Sequence, residues 1–565
     1  MRALCALVAL GVMASPAAVA AAVPQWALPV IAGQVPMDGG GFVSQIAAAD
    51  LNGDGVQDLI VTRSVYLGQQ TFPVTVLLGD GHGRFVDASD SMFGGGVPRT
   101  QNARELVLAD FNGDGRSDVF VADHGDDLDP FPGFQDTLIL SAAGGKLADA
   151  TANLPQASDF THSGAAGDVN GDGATDIYVG NIWGGNRVAP RILLNDGSGH
   201  FTVGDGLVPT AQTNLDLNQY TSSLLVDVNG DAKLDLVLGA ENNTPSSVVL
   251  LNDGTGHFTL LAGALPPKPF GPDAVAEDIA TTDVNGDGKP DLLIAFTKSN
   301  LFTGRWVQVL IGNGDGTFRD ATATSLAQSD NDDPWPTFIE QRDLDRDGHS
   351  DLGVRVGGGG GGSPLLYLLD PGTGLFRPGP TLNVGNSLWT FIDAQGDGSN
   401  DIVAVNPSTG AVSLFRELRS SAPPPPSDTI APVLSRLSIR PTTFRIASRR
   451  ARLRVKGGTT ISYNTSEPVT TIFTVDRARA GIQRGDRCVK PPKRRIRAVH
   501  CTRFVPVAGS FSDEDVAGGP RRLRFTGKLH GSPLRPGAYR LQVTAKDTAG
   551  NIGNTLHARF RVVHR

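Results

Sequence analysis

The segment Asp50-Leu-Asn-Gly-Asp-Gly-Val-Gln-Asp58 decides the fold of this 565-residue chain, because close copies of it recur six times. The first aspartates of successive copies are separated by 60, 58, 59, 56, 60 and 50 residues. Self-similarity at a nearly fixed period indicates a repeat architecture. The later copies occupy residues 110–118, 168–176, 227–235, 283–291, 343–351 and 393–401.

Each repeat unit has the pattern of several short β-strands. An apolar run such as Leu59-Ile-Val61 follows every copy, and a second phrase such as Val76-Leu-Leu-Gly-Asp-Gly-His-Gly-Arg-Phe85 comes about 25 residues after most copies. Apolar runs joined by Asp-Gly and Asn-Gly turns are typical of antiparallel hairpins. About four strands fit into each unit, and radial repetition of four-stranded sheets gives a β-propeller. We therefore predict an all-β fold in which residues 23–416 form a seven-bladed propeller.

The seventh unit is too short to supply four strands of its own. After Val412-Ser-Leu-Phe415 it lacks the glycine-rich turn and the partner phenylalanine of the other units. A propeller must close its ring, so another segment has to complete the last blade. We expect residues 26–32 to supply the missing outer strand.

The repeated nonapeptides place acidic or amide side chains at positions 1, 3, 5 and 9 and glycine at most of positions 4 and 6. Ca²⁺ prefers roughly six to eight oxygen ligands, and a tightly turned loop can bring alternate side chains together with the backbone carbonyl of position 7. We call the seven nonapeptides loops 1 to 7. The predicted ligands are Asp50, Asn52, Asp54, Val56 and Asp58 in loop 1; Asp110, Asn112, Asp114, Arg116 and Asp118 in loop 2; Asp168, Asn170, Asp172, Ala174 and Asp176 in loop 3; Asp227, Asn229, Asp231, Lys233 and Asp235 in loop 4; Asp283, Asn285, Asp287, Lys289 and Asp291 in loop 5; Asp343, Asp345, Asp347, His349 and Asp351 in loop 6; and Asp393, Gln395, Asp397, Ser399 and Asp401 in loop 7.

Two other interpretations of the loops are open. A helical EF-hand would need a bidentate glutamate at position 12, where loop 1 has Val61. Plain Asp/Asn/Gly turns without metal would explain one copy more easily than seven in register. Loop 4 has Ala232 where glycine is wanted and loop 7 has the longer Gln395, so we predict five Ca²⁺ sites and two weaker ones.

The remaining segments differ in composition from the repeats. Residues 1–22 have the basic start, apolar stretch and Ala-x-Ala-like end of a signal peptide, and the proline run in 417–430 predicts a linker. Residues 431–565 carry a net charge of +21, against −30 for the rest, within a total of −9. Alternating runs such as Tyr539-Arg-Leu-Gln-Val-Thr-Ala545 predict a basic Ig-like β-sandwich there. Cys488 and Cys501 would pair in an oxidising compartment, with two free thiols as the alternative.

At these motifs the chain resembles the FG-GAP/VCBS repeat proteins, which include the integrin alpha-subunit propeller. The resemblance covers residues 40–416 and implies Ca²⁺ in the hairpin loops and a partner-binding face elsewhere. The C-terminal region resembles bacterial Ig-like modules at Asp547-Thr-Ala-Gly-Asn551.

The sequence favours a binding protein over an enzyme. It contains no Gly-x-Ser-x-Gly elbow, no His-Glu-x-x-His and no phosphate loop. We expect a non-catalytic secreted or cell-surface protein that uses Ca²⁺ and acts in adhesion or binds an extracellular glycan or protein, with anionic envelope polymers as partners of the basic region. The signal peptide argues against nucleic acid, and no segment predicts a membrane span. A secreted polysaccharide- or phosphodiester-cleaving enzyme and a structural spacer are the alternatives.

Overall fold

The chain folds into two compact units, Met1–Ser420 and Ser421–Arg565. The structure is a computed structural model that describes residues 23–65, 67–182, 186–299, 302–329, 334–357, 363–418, 432–446, 458–466, 469–484, 487–490, 499–515, 519–529, 532–546 and 552–563. The predicted signal peptide, 1–22, and all but the first two residues of the predicted linker, 417–430, lie outside these ranges. None of the described helices has the length and hydrophobicity that crossing a membrane requires.

The described part of the first unit contains seven four-stranded antiparallel sheets. We number them 1 to 7 by the nonapeptide loop that each sheet contains. In sheets 1 to 6 the four strands follow one another along the chain. Sheet 1 has strands Phe42–Ala49, Asp58–Ser64, Thr75–Gly79 and Phe85–Asp87; sheet 2, Ala103–Ala109, Asp118–Asp123, Thr137–Ala142 and Lys146–Asp149; sheet 3, Thr161–Gly167, Asp176–Asn181, Arg191–Asn195 and Phe201–Gly204; sheet 4, Tyr220–Val226, Asp235–Ala240, Val248–Asn252 and Phe258–Leu261; sheet 5, Ala274–Thr282, Asp291–Lys298, Thr303–Gly312 and Phe318–Asp320; sheet 6, Pro336–Arg342, Asp351–Val356, Leu365–Asp370 and Leu375–Pro378; and sheet 7, Leu388–Ile392, Asp401–Val405, Ala411–Phe415 and Val30–Gln34.

Short elements connect the sheets. The pair Phe72–Pro73 and Arg99–Thr100 forms a small two-stranded sheet. Helices cover Ser89–Phe93, Thr210–Thr213 and Thr322–Ser325, and 3₁₀ turns cover Thr151–Asn153 and Gly271–Asp273.

Neighbouring sheets share hydrophobic cores, which explains the nearly continuous apolar second strands. Asp58–Ser64 is buried along its whole length, as a strand covered on both faces must be. Seven clusters each join two neighbouring sheets, and one of them joins sheet 7 to sheet 1 through Val403, Leu414, Leu59 and Val61. These repeated four-stranded sheets fit a propeller, as the sequence predicts.

The N-terminal segment completes sheet 7. Val30–Gln34 pairs antiparallel with Ala411–Phe415, so the strand overlaps the expected segment 26–32 but begins four residues later and ends two residues later. Trp26 forms an isolated bridge to Glu417, and its Nε1 donates to the carbonyl of Asn400 at 2.7 Å. The two ends of the first unit are therefore joined in one sheet.

The first strands of sheets 1 to 6 each carry a β-bulge at the same place. In sheet 1, Val43 lies opposite Arg63 and Gln45 opposite Thr62, so Ser44 is an extra residue outside the ladder. A bulge re-aims the side chain of the extra residue. The six bulge residues are Ser44, Arg104, His162, Thr221, Glu277 and Thr337.

The second unit is also all-β. One sheet contains Leu434–Arg440, Thr459–Thr465 and Gly519–Phe525; the other contains Thr443–Phe444, Leu556–Val562, Gly537–Lys546, Val469–Arg484, Arg487–Val489 and His500–Asp515; a small pair is formed by Lys528–Leu529 and Ser532–Pro533. Both larger sheets bury side chains in one core, including Ile461 and Tyr463 from the first and Phe473, Leu541 and Phe560 from the second.

Candidate metal loops

Each of the seven loops connects the first strand of a sheet to the second and is wrapped around its first aspartate. In loop 1, Asp50 Oδ1 accepts the N–H groups of Gly53 at 2.7 Å and Asp54 at 3.1 Å, and Oδ2 accepts that of Gly55 at 2.9 Å. Gly55 has a φ of +85°, which is easily adopted without a Cβ atom. In the other six loops the first aspartate likewise accepts the N–H groups of positions 5 and 6, and in loops 2 to 4 it also accepts that of position 4.

The side chains at positions 3 and 5 turn towards the same loop interior. Asn52 Oδ1 accepts the N–H of Asp54 at 2.7 Å, and Asp54 Oδ1 accepts the N–H of Val56 at 2.8 Å. The bond from the position-7 N–H to the position-5 carboxylate is present in all seven loops. In loops 1 to 6 the side chains of positions 1, 3 and 5 therefore all direct an oxygen to backbone N–H groups of the same turn, and oxygens are the ligand type that Ca²⁺ prefers.

The ninth aspartate ties the loop to the rest of its sheet. Asp58 is fully buried, its Oδ2 accepts the N–H of Leu51 at 3.0 Å, and its Oδ1 accepts that of Gly79 on the third strand at 2.9 Å. Burial raises its pKa to about 6, against the opposing effect of these two hydrogen bonds. Since an ionised carboxylate has about four acceptor sites, each oxygen keeps capacity for a metal. Its structural role was not predicted from the sequence.

Three loops contain an internal cation that the sequence analysis did not weigh. The position-7 side chain forms an ion pair with the position-5 carboxylate: Arg116 with Asp114 at 2.7 Å in loop 2, and Lys233 with Asp231 at 2.9 Å in loop 4. Loop 5 has the equivalent pair at 3.3 Å. The alternation of Asp and Lys or Arg at positions 5 and 7 is the signal that could have revealed these contacts.

Loop 6 has the densest set of carboxylates. Oxygens of Asp343, Asp345 and Asp351 lie within 4.8 Å of one another, the sole group of three or more such ligand side chains within the described ranges. Arg346 replaces glycine at position 4 with a φ of +63°, and its Nη2 donates to Glu417 Oε2 at 2.7 Å. Acidic side chains cluster without metal too, so the cluster fits a cation but does not identify one.

The two loops predicted to be weaker depart from the pattern in different ways. Ala232 in loop 4 takes the positive φ, +65°, that glycine takes elsewhere. In loop 7, Gln395 Nε2 donates to Asp401 Oδ2 at 2.9 Å, so its amide group is already engaged with the ninth aspartate.

Comparison with known proteins identifies the repeats. The model of the FG-GAP-like repeat matches residues 50–121, 110–179, 227–294 and 283–354, and each match begins at the first aspartate of one loop and includes the next loop. A solved structure described as "Structure of Dos1 propeller" is 11% identical, with 70% of this chain and 95% of that chain covered and a TM-score of 0.34, too low to support an inference. No curated protein matches the chain. Four FG-GAP-like repeats together with the repeated four-stranded sheets support an FG-GAP propeller.

Proposed function

We propose that this chain of FG-GAP-like repeats is a secreted, Ca²⁺-stabilised, seven-bladed propeller with an Ig-like C-terminal domain, and that it binds an extracellular glycan or protein without catalysis. The observation that carries the proposal is the common geometry of the seven loops, in each of which the carboxylates of positions 1 and 5 accept backbone N–H groups of the same short turn.

The blade count is supported by the seven four-stranded sheets and by their packing. First strands of successive sheets pack against one another, and Leu388–Ile392 of sheet 7 packs against Phe42–Ala49 of sheet 1. The strand Val30–Gln34 joins the two ends of this series. A ring of seven blades accommodates all of these contacts.

An oxidising compartment is supported by the disulfide of the second unit. Cys488 and Cys501 are bonded, with a Cα–Cα distance of 6.0 Å. Disulfides persist mainly in extracytoplasmic proteins. The basic charge of residues 431–565 suits an anionic polymer of the cell envelope.

Calcium binding is tested by melting and titration of the full chain. We expect a higher melting temperature in millimolar Ca²⁺ than in EDTA, and calorimetric binding of five to seven ions. Asp343→Asn in loop 6 should remove one ion, whereas Asp196→Asn, in an outer hairpin turn, should remove none. Equal melting curves with and without Ca²⁺ would refute the metal proposal.

Ligand binding is tested on a glycan array and by capture from the native cell surface, with and without Ca²⁺. We expect retention of a defined glycan or surface protein, unchanged in mass after elution. Cleavage of the retained ligand would favour the enzyme alternative, and no retention at all would favour the structural spacer.

A further inference from the structure

The first strands of the first unit enclose a cavity of about 250 Å³ that the metal loops do not use. The six bulge residues line it, and each of them precedes the first aspartate of its loop by six residues. At ~3.3 Å per residue, the cavity lies roughly 20 Å from the loops along the strands. The bulges therefore present six polar side chains to one space.

Two buried groups in the cavity wall lack hydrogen-bond partners among the described residues. His124 is 2% exposed and its Nδ1 has none. Arg355 is 4% exposed; its Nη2 donates to Glu340 Oε1 at 2.5 Å, but its Nε has no partner. Burying an unsatisfied polar group costs about 1–3 kcal/mol. The wall therefore offers an imidazole nitrogen and a guanidinium N–H whose hydrogen-bonding capacity is unused.

The cavity wall carries charged groups of both signs that offset one another, the guanidinium groups of Arg104 and Arg355 and four carboxyl groups, of Glu105, Asp127, Glu277 and Asp278. Burial raises the pKa of Glu105 to about 8 and those of Glu277 and Asp278 to about 7, so all three hold protons for much of the time near neutral pH. Arg104 lies 3.9 Å from Glu277. This balance favours a neutral ligand over a strongly charged one.

The other cavity walls are aromatic and hydroxylic. Phe42, Trp335 and Phe338 supply apolar surface, and Ser44 and Thr221 supply hydroxyl groups. Ligand sites combine apolar walls with a few placed polar groups, and their usual volume is about 300–1,000 Å³. A cavity slightly below that range suits one small ring.

We propose that this axial cavity binds a neutral polyhydroxylated ligand of the size of one sugar ring, such as the exposed end of a glycan. Hydroxyl groups both donate and accept, so a single ligand can satisfy His124 Nδ1, Arg355 Nε and the carboxyl groups together. The choice of a sugar rests on the proposed glycan binding, whereas the site itself rests on the cavity.

The test is saturation-transfer NMR on the full chain with D-glucose, D-galactose, D-mannose and N-acetyl-D-glucosamine, and with 1,4-diaminobutane as a cationic comparison. We expect transfer to at least one sugar. Ser44→Trp should fill the cavity and weaken that binding at least tenfold, whereas Val86→Trp, which adds the same side chain at an exposed position of the fourth strand of sheet 1, should change it less than threefold. Transfer to the diamine alone, or to no probe, would overturn the proposal.

A second readout needs no substitution. The ¹⁵N shift of the His124 ring should move when the sugar binds, and that of exposed His257, on an outer hairpin, should not. Sugar binding that leaves His124 unchanged would place the ligand elsewhere. If the glycan array shows binding but neither Ser44→Trp nor the His124 shift responds, the proposed function stands and only this inference is wrong.

Discussion

At the scale of single residues, the loops show how much depends on one backbone angle. Ala232 adopts a φ of +65° at position 6, where all six other loops have a glycine with positive φ. The left-handed region costs an L-residue with a Cβ atom roughly 1–2 kcal/mol. Loop 4 therefore carries strain that its own hydrogen bonds to Asp227 must offset.

Replacing Ala232 by glycine should relieve this strain. We expect Ala232→Gly to raise the free energy of unfolding by about 0.5–1 kcal/mol, because the relieved strain exceeds the added entropy of the unfolded chain. Urea denaturation measures the change. The control is Ala174→Gly at position 7 of loop 3, which lacks a positive φ and should lose about 0.5–1 kcal/mol. An unstable Ala232→Gly variant would contradict the explanation.

Glu105 gives the molecule a pH dependence of stability. Burial, with a smaller contribution from Asp278, raises its pKa from 4.5 to about 8. Between these values the folded state holds a proton that the unfolded state has lost, so stability falls as the pH rises from about 4.5 to about 8 and levels off above that. We expect the melting temperature to fall between pH 5 and pH 8, and to fall less in Glu105→Gln. Asp90→Asn, on an exposed helix, should keep the wild-type slope; equal slopes for all three proteins would contradict the assignment.

At the scale of elements, the hairpins and loops could be predicted because their information is local. Each nonapeptide, its glycines and the apolar runs that follow it all lie within about 30 residues of one another in the sequence. The pair of hydrogen bonds that Asp58 accepts could not be predicted. Gly79 donates one of them only because of the register between the second and third strands of sheet 1. The proximity of Glu105 and Asp278 likewise depends on packing between sheets 2 and 5, which are far apart in the sequence.

The bulges left a signal that the sequence analysis did not use. The residue six places before each first aspartate is polar in all seven units: Ser44, Arg104, His162, Thr221, Glu277, Thr337 and Ser387. Polarity recurring at one fixed distance from the loops indicates a shared environment, and in sheets 1 to 6 that position is the bulge. Its convergence on one cavity required the packing of the first strands.

The disulfide stabilises an extended hairpin of the second unit. Cys488 and Cys501 are separated by 13 positions, and their strands both pair with Val469–Arg484. Closing a loop of this size contributes about 3 kcal/mol. We expect the double replacement of both cysteines by serine to lower the unfolding free energy of the second unit by about 2–3 kcal/mol, measured by denaturation. Reduction of the wild type should reproduce the loss, and melting of the first unit should not change.

At the scale of the whole molecule, the first unit depends on a strand from its own beginning. Ala32 is 4% exposed and belongs to the core shared by sheets 7 and 1, while its neighbour Ile31 is 76% exposed. Ala32 is an extra residue of this strand, because Ile31 lies opposite Ser413 and Gly33 opposite Val412, and the bulge turns its side chain into the core.

An aspartate substitution should change stability by very different amounts at Ala32 and at Ile31. We expect Ala32→Asp to lower the unfolding free energy by about 2–4 kcal/mol, because it buries an unpaired carboxylate. Ile31→Asp introduces the same charge on the exposed face and should change stability by less than about 0.5 kcal/mol. Thermal melting checks both. Equal losses would mean that the strand does not close the unit as described.

The strand Val30–Gln34 is synthesised long before its partner. Val30 pairs with Leu414, so an early strand of the unit can pair only after one of the last strands has left the ribosome. At ~5–20 residues per second, that wait is about 20–75 s. Throughout it, Val30–Gln34 has no partner and the edge that it will cover does not yet exist. This pairing can therefore form only after nearly all of the first unit has been synthesised, and a nascent chain released before Phe415 emerges carries a strand that has nothing to join.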